Sequence, residues 1–220
     1  MIKNCPFCEE YLHPNVSQFY VEIGKRIGCE SRVLLETAHW YVIPTLGSLT
    51  VGYVLLVAKE HHLSLANLSD ELFSEMLQLK EHVEELLYNK LGMHCLSFEH
   101  GVADAVSRGA NSVDHVHVHI LPFPKPIWQS IASDIPKVHY EVMGSYTELY
   151  SSWQKNLPNS YLLFQDTDQA IYYFPDASNM PSQLFRKCLA PYLKADHWDW
   201  HNETYSDNIT QTIELFRQLR

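Results

Sequence analysis

Short apolar runs separated by turn-forming residues characterise the first half of the chain. Runs of this length, rich in β-branched, aromatic and leucine residues, are typical of strands. They lie at 32–35, 39–43, 51–58 and 94–98. Pro44 and Gly47 stand between the second and third runs, so we expect those two runs to form a hairpin.

The hydrophobic period changes to that of a helix after Ser69. Apolar residues then recur every three or four positions, which places them on one helical face. They are Leu72, Met76, Leu79, Val83 and Leu86. Ser69 is a favourable N-cap and Gly92 a favourable stop, so the sequence predicts one long helix between them. The strand at 94–98 and a loop over 101–109 follow it.

A period of two is strictest over 115–121, where histidine alternates with apolar residues. The alternation puts the imidazoles on one face of a strand and the aliphatic side chains on the other. The histidines are His115, His117 and His119. Imidazole serves as a nucleophile, a proton carrier or a metal ligand near neutral pH. The histidine face is therefore the leading candidate for a functional site.

Prolines mark a boundary between two parts of the chain. They interrupt any sheet or helix there, at Pro122, Pro124, Pro126 and Pro136. We therefore divide the chain into a first domain over 1–126 and an extension over 127–220.

The extension has its own pattern of elements. Two runs at 161–165 and 170–174 predict a hairpin, and helices are predicted over 181–193 and 210–219. The expected fold class is α+β: an antiparallel sheet with a long helix, plus a smaller α+β extension. We expect the extension to pack on the first domain or to complete it.

Composition and charge narrow the function classes. Hydrophobic residues make up 46% of the 220 residues, which is enough for a substantial core and excludes a wholly disordered chain. The formal net charge of −10 repels polyphosphate backbones, so we expect no non-specific nucleic-acid binding. The amino terminus lacks the apolar core of a signal peptide, and the run at 51–58 is too short to cross a bilayer. We therefore expect a cytoplasmic protein without membrane contact.

Two plain explanations of the histidine strand stay open at this point. In one, the histidines are incidental residues of a solvent-facing strand. In the other, they chelate a metal, because Gly109, five intervening residues and His115-x-His117 reproduce the opening of the metal motif of double-stranded β-helix proteins. That motif requires a glutamate three or four residues later, where this chain has Leu121 and Pro122.

The alternation over 115–121 resembles the signature of the histidine-triad superfamily of nucleotide hydrolases and transferases. The context is similar as well. In that family a hairpin ends in a Lys-x-His stretch, here Lys59 to His61, and is followed by a long helix, a strand, a glycine-bearing loop and the triad strand. The resemblance covers residues 1–126 and implies a nucleotide-binding domain there. In the second part of the chain, the stretches at 182–187 and 197–200 resemble the extension of the longer members.

The resemblance implies a covalent mechanism. By its place in the motif His117 attacks the α-phosphorus of a nucleotide, Ser112 supplies a proton to the leaving group, and His119 contacts phosphate oxygen or the leaving group. A neutral imidazole suits the first role because its lone pair is available at pH 7, whereas serine or lysine must first lose a proton. The candidate substrate contacts are Glu99, His100, Gly101, Arg108 and Asn111.

Three functions are compatible with these residues. The first is hydrolysis of a dinucleoside polyphosphate or a nucleotide conjugate, the second is nucleotidyl transfer or phosphorolysis on the same fold, and the third is nucleotide binding by a zinc-stabilised module without turnover. The ligand is a small-molecule nucleotide in each. Common family members hold the ribose with an acidic residue after the second strand, where this chain has Thr45, Leu46 and Gly47, so the nucleotide is not identified.

Oligomeric state also stays open. Many triad domains form homodimers that bury a strand edge and complete the site. An extension of this size is long enough to cover that edge within one chain.

The cysteines point to a metal site. Their odd number, five, argues against a disulfide framework, and only Cys5 and Cys8 are close in sequence. The spacing of Cys5 and Cys8 is that of a zinc knuckle. A redox pair is disfavoured, because such a pair begins a helix after a strand and only four residues precede Cys5. The third alternative is that the two cysteines are incidental.

Some histidine-triad proteins and related uridylyltransferases bind zinc with such a pair, the histidine after the Lys-x pair and the first triad histidine. That resemblance implies a structural zinc ion. Its ligands are expected to be Cys5, Cys8, His61 and His115, with His62 as the alternative to His61.

Overall fold

The computed structural model describes residues 5–102 and 114–218. The strands of these ranges are β1 (Leu35–Glu36), β2 (Trp40–Pro44), β3 (Val54–Ala58), β4 (Cys95–Val102), β5 (His117–Pro122), β6 (Glu141–Met143), β7 (Ser160–Gln165) and β8 (Ile171–Phe174). They form one eight-stranded antiparallel sheet in the order β1-β2-β3-β5-β4-β7-β8-β6.

The α-helices of the same ranges are α1 (Pro6–Leu12), α2 (Lys25–Ile27), α3 (Asp70–Leu91), α4 (Trp128–Ile131), α5 (Tyr146–Trp153), α6 (Leu184–Leu189) and α7 (Ser206–Arg217). Short 3-10 or π-helical segments lie at Pro14–Val16, Tyr20–Gly24, Leu65–Asn67 and Ala190–Leu193. The α+β class predicted from the sequence is confirmed.

The predicted hairpin and long helix are also confirmed. β2 and β3 pair antiparallel along their whole length. The Ser69 hydroxyl accepts a hydrogen bond from the backbone N–H of Leu72, which caps the first turn of α3. Gly92 ends the helix in the left-handed region, with φ +67°.

The histidine strand lies inside the sheet, because β5 pairs with β3 on one side and with β4 on the other. Val118 and Ile120 are fully buried in the core, together with Met76 of α3. His117 and His119 occupy the opposite face, as the period of two predicts.

β4 is longer than the sequence predicted. The strand was expected to end at Phe98, yet it continues to Val102. The reason is a partner that is distant in sequence: β7 of the extension pairs with β4 from Ser97 to Val102. Gly101 fits there because a Cβ on it would lie 2.3 Å from the ring of Tyr161.

The extension also holds the turn between β2 and β3. The backbone N–H groups of Gly47 and Ser48 both donate to the carbonyl of Thr204, at 3.0 and 3.2 Å. The N–H of Gly52 donates to the hydroxyl of Thr212 on α7, at 2.8 Å. These bonds fix the hairpin turn against the C-terminal helix.

The helices of the extension differ from the predicted ones in their bounds. The helix expected over 181–193 is divided, because α6 ends at Leu189 and a 3-10 segment containing Pro191 follows. Proline has no N–H to continue the α-helical bonding. The last helix begins at Ser206 rather than at 210. The helices α1, α2, α4 and α5 and the strand β6 were not predicted.

All five cysteines are free thiols. None of the helices within the described ranges is long and apolar enough to cross a membrane.

A carboxyl group lies in the core beneath the sheet. Glu99 of β4 is 1% exposed and faces away from the histidines. One of its oxygens accepts from the backbone N–H of Leu65 at 2.9 Å, and the other accepts from the hydroxyl of Tyr161. Burial raises the pKa of Glu99 to about 8, although both hydrogen bonds oppose the shift. The folded protein therefore holds this carboxyl largely protonated at neutral pH.

Glu99 should make stability depend on pH. Because its pKa is higher in the folded chain than in the unfolded one, its contribution is complete below about pH 4.5 and is lost as the pH rises through about 8. Glu99→Gln removes this titration. The free energy of unfolding of the wild type should fall relative to that of the variant between pH 5 and 8, by at most about 1.4 kcal/mol per pH unit.

Chemical denaturation at several pH values measures this difference. Glu81→Gln, at an exposed position of α3, is the control and should keep the wild-type pH dependence. Parallel curves for the wild type and Glu99→Gln would contradict the assignment.

Candidate active site

A cavity of about 480 Å³ opens on the histidine face of the sheet. Three parts of the chain line it: β5 with its neighbouring strands, the N-terminal segment that includes α1, and the extension near residues 182–186 and 200–201. Small-molecule pockets have volumes of about 300–1,000 Å³. The cavity is thus large enough for a nucleotide-sized ligand.

His117 presents a lone pair to this cavity. Its Nδ1 lies 2.7 Å from the carbonyl oxygen of His115. A carbonyl only accepts hydrogen bonds, so Nδ1 carries the hydrogen and Nε2 carries the lone pair. Burial lowers the pKa of His117, against the opposing effect of that hydrogen bond. The ring is therefore neutral at pH 7, with Nε2 available to a ligand.

His119 has the opposite tautomer. Its Nδ1 lies 2.8 Å from the hydroxyl oxygen of Tyr53, and that hydroxyl also accepts from Nη1 of Arg186 at 3.4 Å. Tyr53 is fully buried, so its own hydrogen needs an acceptor, and Nδ1 of His119 is the acceptor within reach. Nδ1 then carries the lone pair, and the hydrogen of the neutral ring is on Nε2.

Packing and charge hold His119 in this state. Its ring stacks on Phe98 with 4.3 Å between the centroids and 14° between the planes. Burial lowers the pKa of His119 well below its usual value, and the neighbouring His117 and Arg186 add to the effect. The two rings, 5.0 Å apart, thus pair a nucleophilic nitrogen with a hydrogen-bond donor.

A cluster of cysteines and histidines lies beside the cavity. The ligand atoms of Cys5, Cys8, His61 and His115 all lie within 4.8 Å of one another. α1 positions the thiols, since Cys5 is its N-cap and Cys8 is in its first turn. His61 follows β3, and His115 precedes β5.

The distances in this cluster fit a tetrahedral zinc ion. Sγ of Cys5 is 3.3 Å from Nδ1 of His115, and Sγ of Cys8 is 3.6 Å from Nδ1 of both His61 and His115. Zinc bonds of about 2.3 Å to sulfur and 2.0–2.1 Å to nitrogen at a tetrahedral angle separate the two ligand atoms by about 3.5 Å. The donor set and its spacing are compatible with zinc.

A further hydrogen bond orients His115. Its Nε2 lies 2.8 Å from the carbonyl oxygen of Ala58, which leaves the Nδ1 lone pair facing the thiols. Burial lowers the pKa of His115 to about 4, and the neighbouring histidines add to this, so the ring is neutral as a metal ligand must be. His62 is not part of the cluster.

The predicted substrate contacts are not all at the cavity. His100 lines it, and burial, together with the charge of His117, lowers the pKa of His100 to about 4. Glu99 lies on the other face of the sheet, and Gly101 packs against Tyr161. Arg108, Asn111 and Ser112 lie outside the residues that the structure describes.

Sequence reasoning did not identify several residues of the cavity. Phe98 had a signal, since it alternates with His100 along one strand face. No sequence signal marks the other three. Tyr53 lies in an apolar run, and Arg186 and Trp200 come near the cavity only because the chain folds back on itself.

Gly47 permits the extension to reach the cavity. Its φ is +68°, a conformation that glycine adopts without strain. A Cβ at this position would lie 2.5 Å from Nη2 of Arg186 and 2.5 Å from Cβ of Trp200. The turn after β2 is therefore the contact point of the extension.

Comparisons with known proteins give one match to a family model. The HIT-domain family model matches residues 28–125. No curated protein matches the sequence.

Solved structures with a similar fold include HIT proteins from several organisms. A member of the HIT family from Bacillus subtilis is 19% identical, over 70% of this chain and 98% of that one, with a TM-score of 0.42. A hypothetical histidine triad nucleotide-binding protein from Sulfolobus tokodaii is 16% identical, over 55% and 69% of the two chains, with a TM-score of 0.39. A Zn-bound histidine triad family protein from Mycobacterium smegmatis is 16% identical, over 54% and 74%, with a TM-score of 0.35.

Gly47→Ala should lower the free energy of unfolding by more than the cost of placing alanine in a left-handed backbone conformation. Gly92→Ala is the matched control, because Gly92 has nearly the same φ, +67°, and a Cβ there would meet no atom within 4 Å. The control should lose about 1–2 kcal/mol for the left-handed conformation. Gly47→Ala should lose about 1–3 kcal/mol more, from the clash with Arg186 and Trp200. Chemical denaturation gives both values, and equal losses would argue against the close contact.

Proposed function

We propose that the protein hydrolyses a dinucleoside polyphosphate or a nucleotide conjugate through a covalent nucleotidyl-histidine, because the HIT-domain family model matches residues 28–125. The observation that carries this proposal is the pair of opposite tautomers in one cavity. His117 offers a lone pair on Nε2, and His119 offers an N–H on Nε2 beside it.

The first step forms the intermediate. Nε2 of His117 attacks the α-phosphorus, so a P–N bond forms while the P–O or P–N bond to the leaving group breaks. The leaving group departs with the bonding electrons and takes a proton, which we assign to Ser112 on the family resemblance. The N–H of His119 donates a hydrogen bond to a phosphoryl oxygen or to the leaving group as charge develops there.

The second step releases the nucleotide. Water attacks the same phosphorus and gives one proton back to the oxygen of Ser112, which lost one in the first step. The P–N bond to His117 breaks, and a nucleoside monophosphate leaves while the ring returns to its neutral form. The hydrogen bond to the carbonyl of His115 keeps the proton on Nδ1, so Nε2 is ready for the next cycle. A phosphate or sugar phosphate acceptor in place of water makes the same site a transferase. Product analysis with and without added inorganic phosphate separates the two reactions.

We propose that the cluster of Cys5, Cys8, His61 and His115 binds one structural zinc ion. When bound, the ion supplies structural cross-linking between α1 and the sheet, since protein ligands fill all four tetrahedral positions. Phe7 lies between the two cysteines in sequence, and its ring is 5.2 Å from that of His117. Fixing α1 therefore also fixes one wall of the cavity against the proposed nucleophile.

His117→Ala should abolish the covalent intermediate and lower kcat at least about 10³-fold, because the nitrogen that attacks the phosphorus is removed. Incubation with substrate labelled at the α-phosphate, followed by denaturation, should trap an acid-labile phosphohistidine in the wild type. His82→Ala, an exposed histidine on α3, is the control and should give the wild-type yield. An unchanged yield in His117→Ala refutes the nucleophile, and nucleotide binding without any turnover favours the binding-module alternative.

Cys8→Ala should reduce the zinc content from about one ion per chain to near zero. The variant should also unfold at a lower temperature, because α1 loses its attachment to the sheet. Elemental analysis of protein purified without chelator measures the content, and a thermal melt measures the stability. Cys29→Ser, at another buried free thiol, should keep the zinc. Absence of zinc from the wild type would remove the metal assignment and leave the hydrolase proposal standing.

A further inference from the structure

The extension contributes a buried cation to the triad cavity. Arg186 of α6 is 3% exposed, yet its side chain is part of the cavity lining together with His117 and His119. Its hydrogen bonds run from Nε to the carbonyl of Trp198 at 3.0 Å and from Nη2 to the carbonyl of Gly47 at 2.6 Å. The third runs from Nη1 to the hydroxyl of Tyr53 at 3.4 Å.

All of these acceptors are neutral. No carboxylate of residues 5–102 or 114–218 forms an ion pair with Arg186. Among the described residues a second arginine, Arg32, also lines the cavity, and it is different because it pairs with both carboxylate oxygens of Glu10 at 2.6 and 2.7 Å. A buried guanidinium without a counter-ion is costly, since its desolvation is not repaid by an opposite charge.

Two N–H groups of the guanidinium have no acceptor among the described residues. Of its five N–H groups, three donate to the acceptors above, which leaves one on each terminal nitrogen. Two donors on adjacent nitrogens suit the bidentate binding of a phosphate.

The position of Arg186 relative to His117 and His119 determines which phosphate of a bound nucleotide it can contact. Arg186 contacts Tyr53, Tyr53 contacts His119, and the ring of His119 is 5.0 Å from that of His117. The cation is thus two side chains away from the proposed nucleophile, on the side of His119. In the proposed reaction the attacked phosphorus lies next to the ring of His117. An anionic group bound by Arg186 is therefore a neighbouring phosphate.

We propose that Arg186 binds a phosphate adjacent to the one that His117 attacks, so that the substrates of this site are nucleoside polyphosphates rather than conjugates with an uncharged leaving group. This inference rests on the proposed function for the reaction. The binding of the anion itself does not depend on turnover.

Calorimetric titration of the zinc-loaded full chain with inorganic tripolyphosphate tests the anion site directly. The wild type should bind the probe, and Arg186→Met should weaken binding about 10- to 100-fold, the loss of one or two charge-assisted hydrogen bonds. Arg26→Met, at an exposed position of α2, is the matched control and should bind as the wild type does. Equal affinity for the wild type and Arg186→Met, or no binding by the wild type, overturns the proposal.

A measurement on the wild type keeps the test valid if Arg186→Met does not fold. The side-chain Nε–H resonance of Arg186, identified by its loss in Arg186→Lys, should shift as tripolyphosphate is added. A resonance that stays in place while the probe binds assigns the anion to another part of the chain and overturns the proposal.

Kinetics then separate this inference from the proposed function. A dinucleoside polyphosphate is compared with a nucleoside monophosphate ester whose leaving group is an uncharged phenol. Arg186→Met should lower kcat/KM for the polyphosphate about 10- to 100-fold more than for the ester. An equal loss on both substrates gives Arg186 a structural role only and leaves the hydrolase intact. If the wild type cleaves neither, the proposed function fails, and the tripolyphosphate titration still decides the anion site.

Discussion

The hydrogen bond between Nδ1 of His117 and the carbonyl of His115 connects the two sites of this protein. It fixes the tautomer of the ring that faces the cavity, and it is made by the backbone of the residue whose own side chain joins the cysteine cluster. Any shift of His115 therefore moves both the cluster and the ring of His117. A metal held by the cluster would position His115 without coordinating the proposed nucleophile, His117.

The cavity depends equally on residues far apart in the chain. Its floor is the central strand pair, one wall is the N-terminal helix α1, and another is the extension, which reaches the turn after β2 through Gly47. The tautomer of His119 depends on this assembly, since Tyr53 is oriented by a guanidinium that belongs to α6. The tautomer of His117 is thus set by the backbone of its own strand, and the tautomer of His119 is set by contacts that include the extension.

The spacing of apolar residues and the residues at helix ends predicted those elements whose formation depends on nearby sequence. The helical period with Ser69 and Gly92 at its ends gave α3, and the period of two gave the histidine face of β5. The four residues that the family resemblance implied as zinc ligands lie together in the structure. Non-local pairing was beyond such patterns: β4 continues to Val102 only because β7 lies beside it. The bond between Arg186 and Gly47 joins residues 139 positions apart, and no periodicity encodes it.

The pairing of β4 with β7 has a consequence for the first half of the chain taken alone. If synthesis stopped after residue 126, the N–H and C=O groups of β4 from Ser97 to Val102 would lose their partners. An unpaired strand edge can pair with strands of other molecules, and the apolar side chains around this edge favour such aggregation. The C-terminal part thus protects this strand edge from intermolecular pairing, and a chain shortened at residue 126 is expected to aggregate rather than to fold as a stable smaller domain.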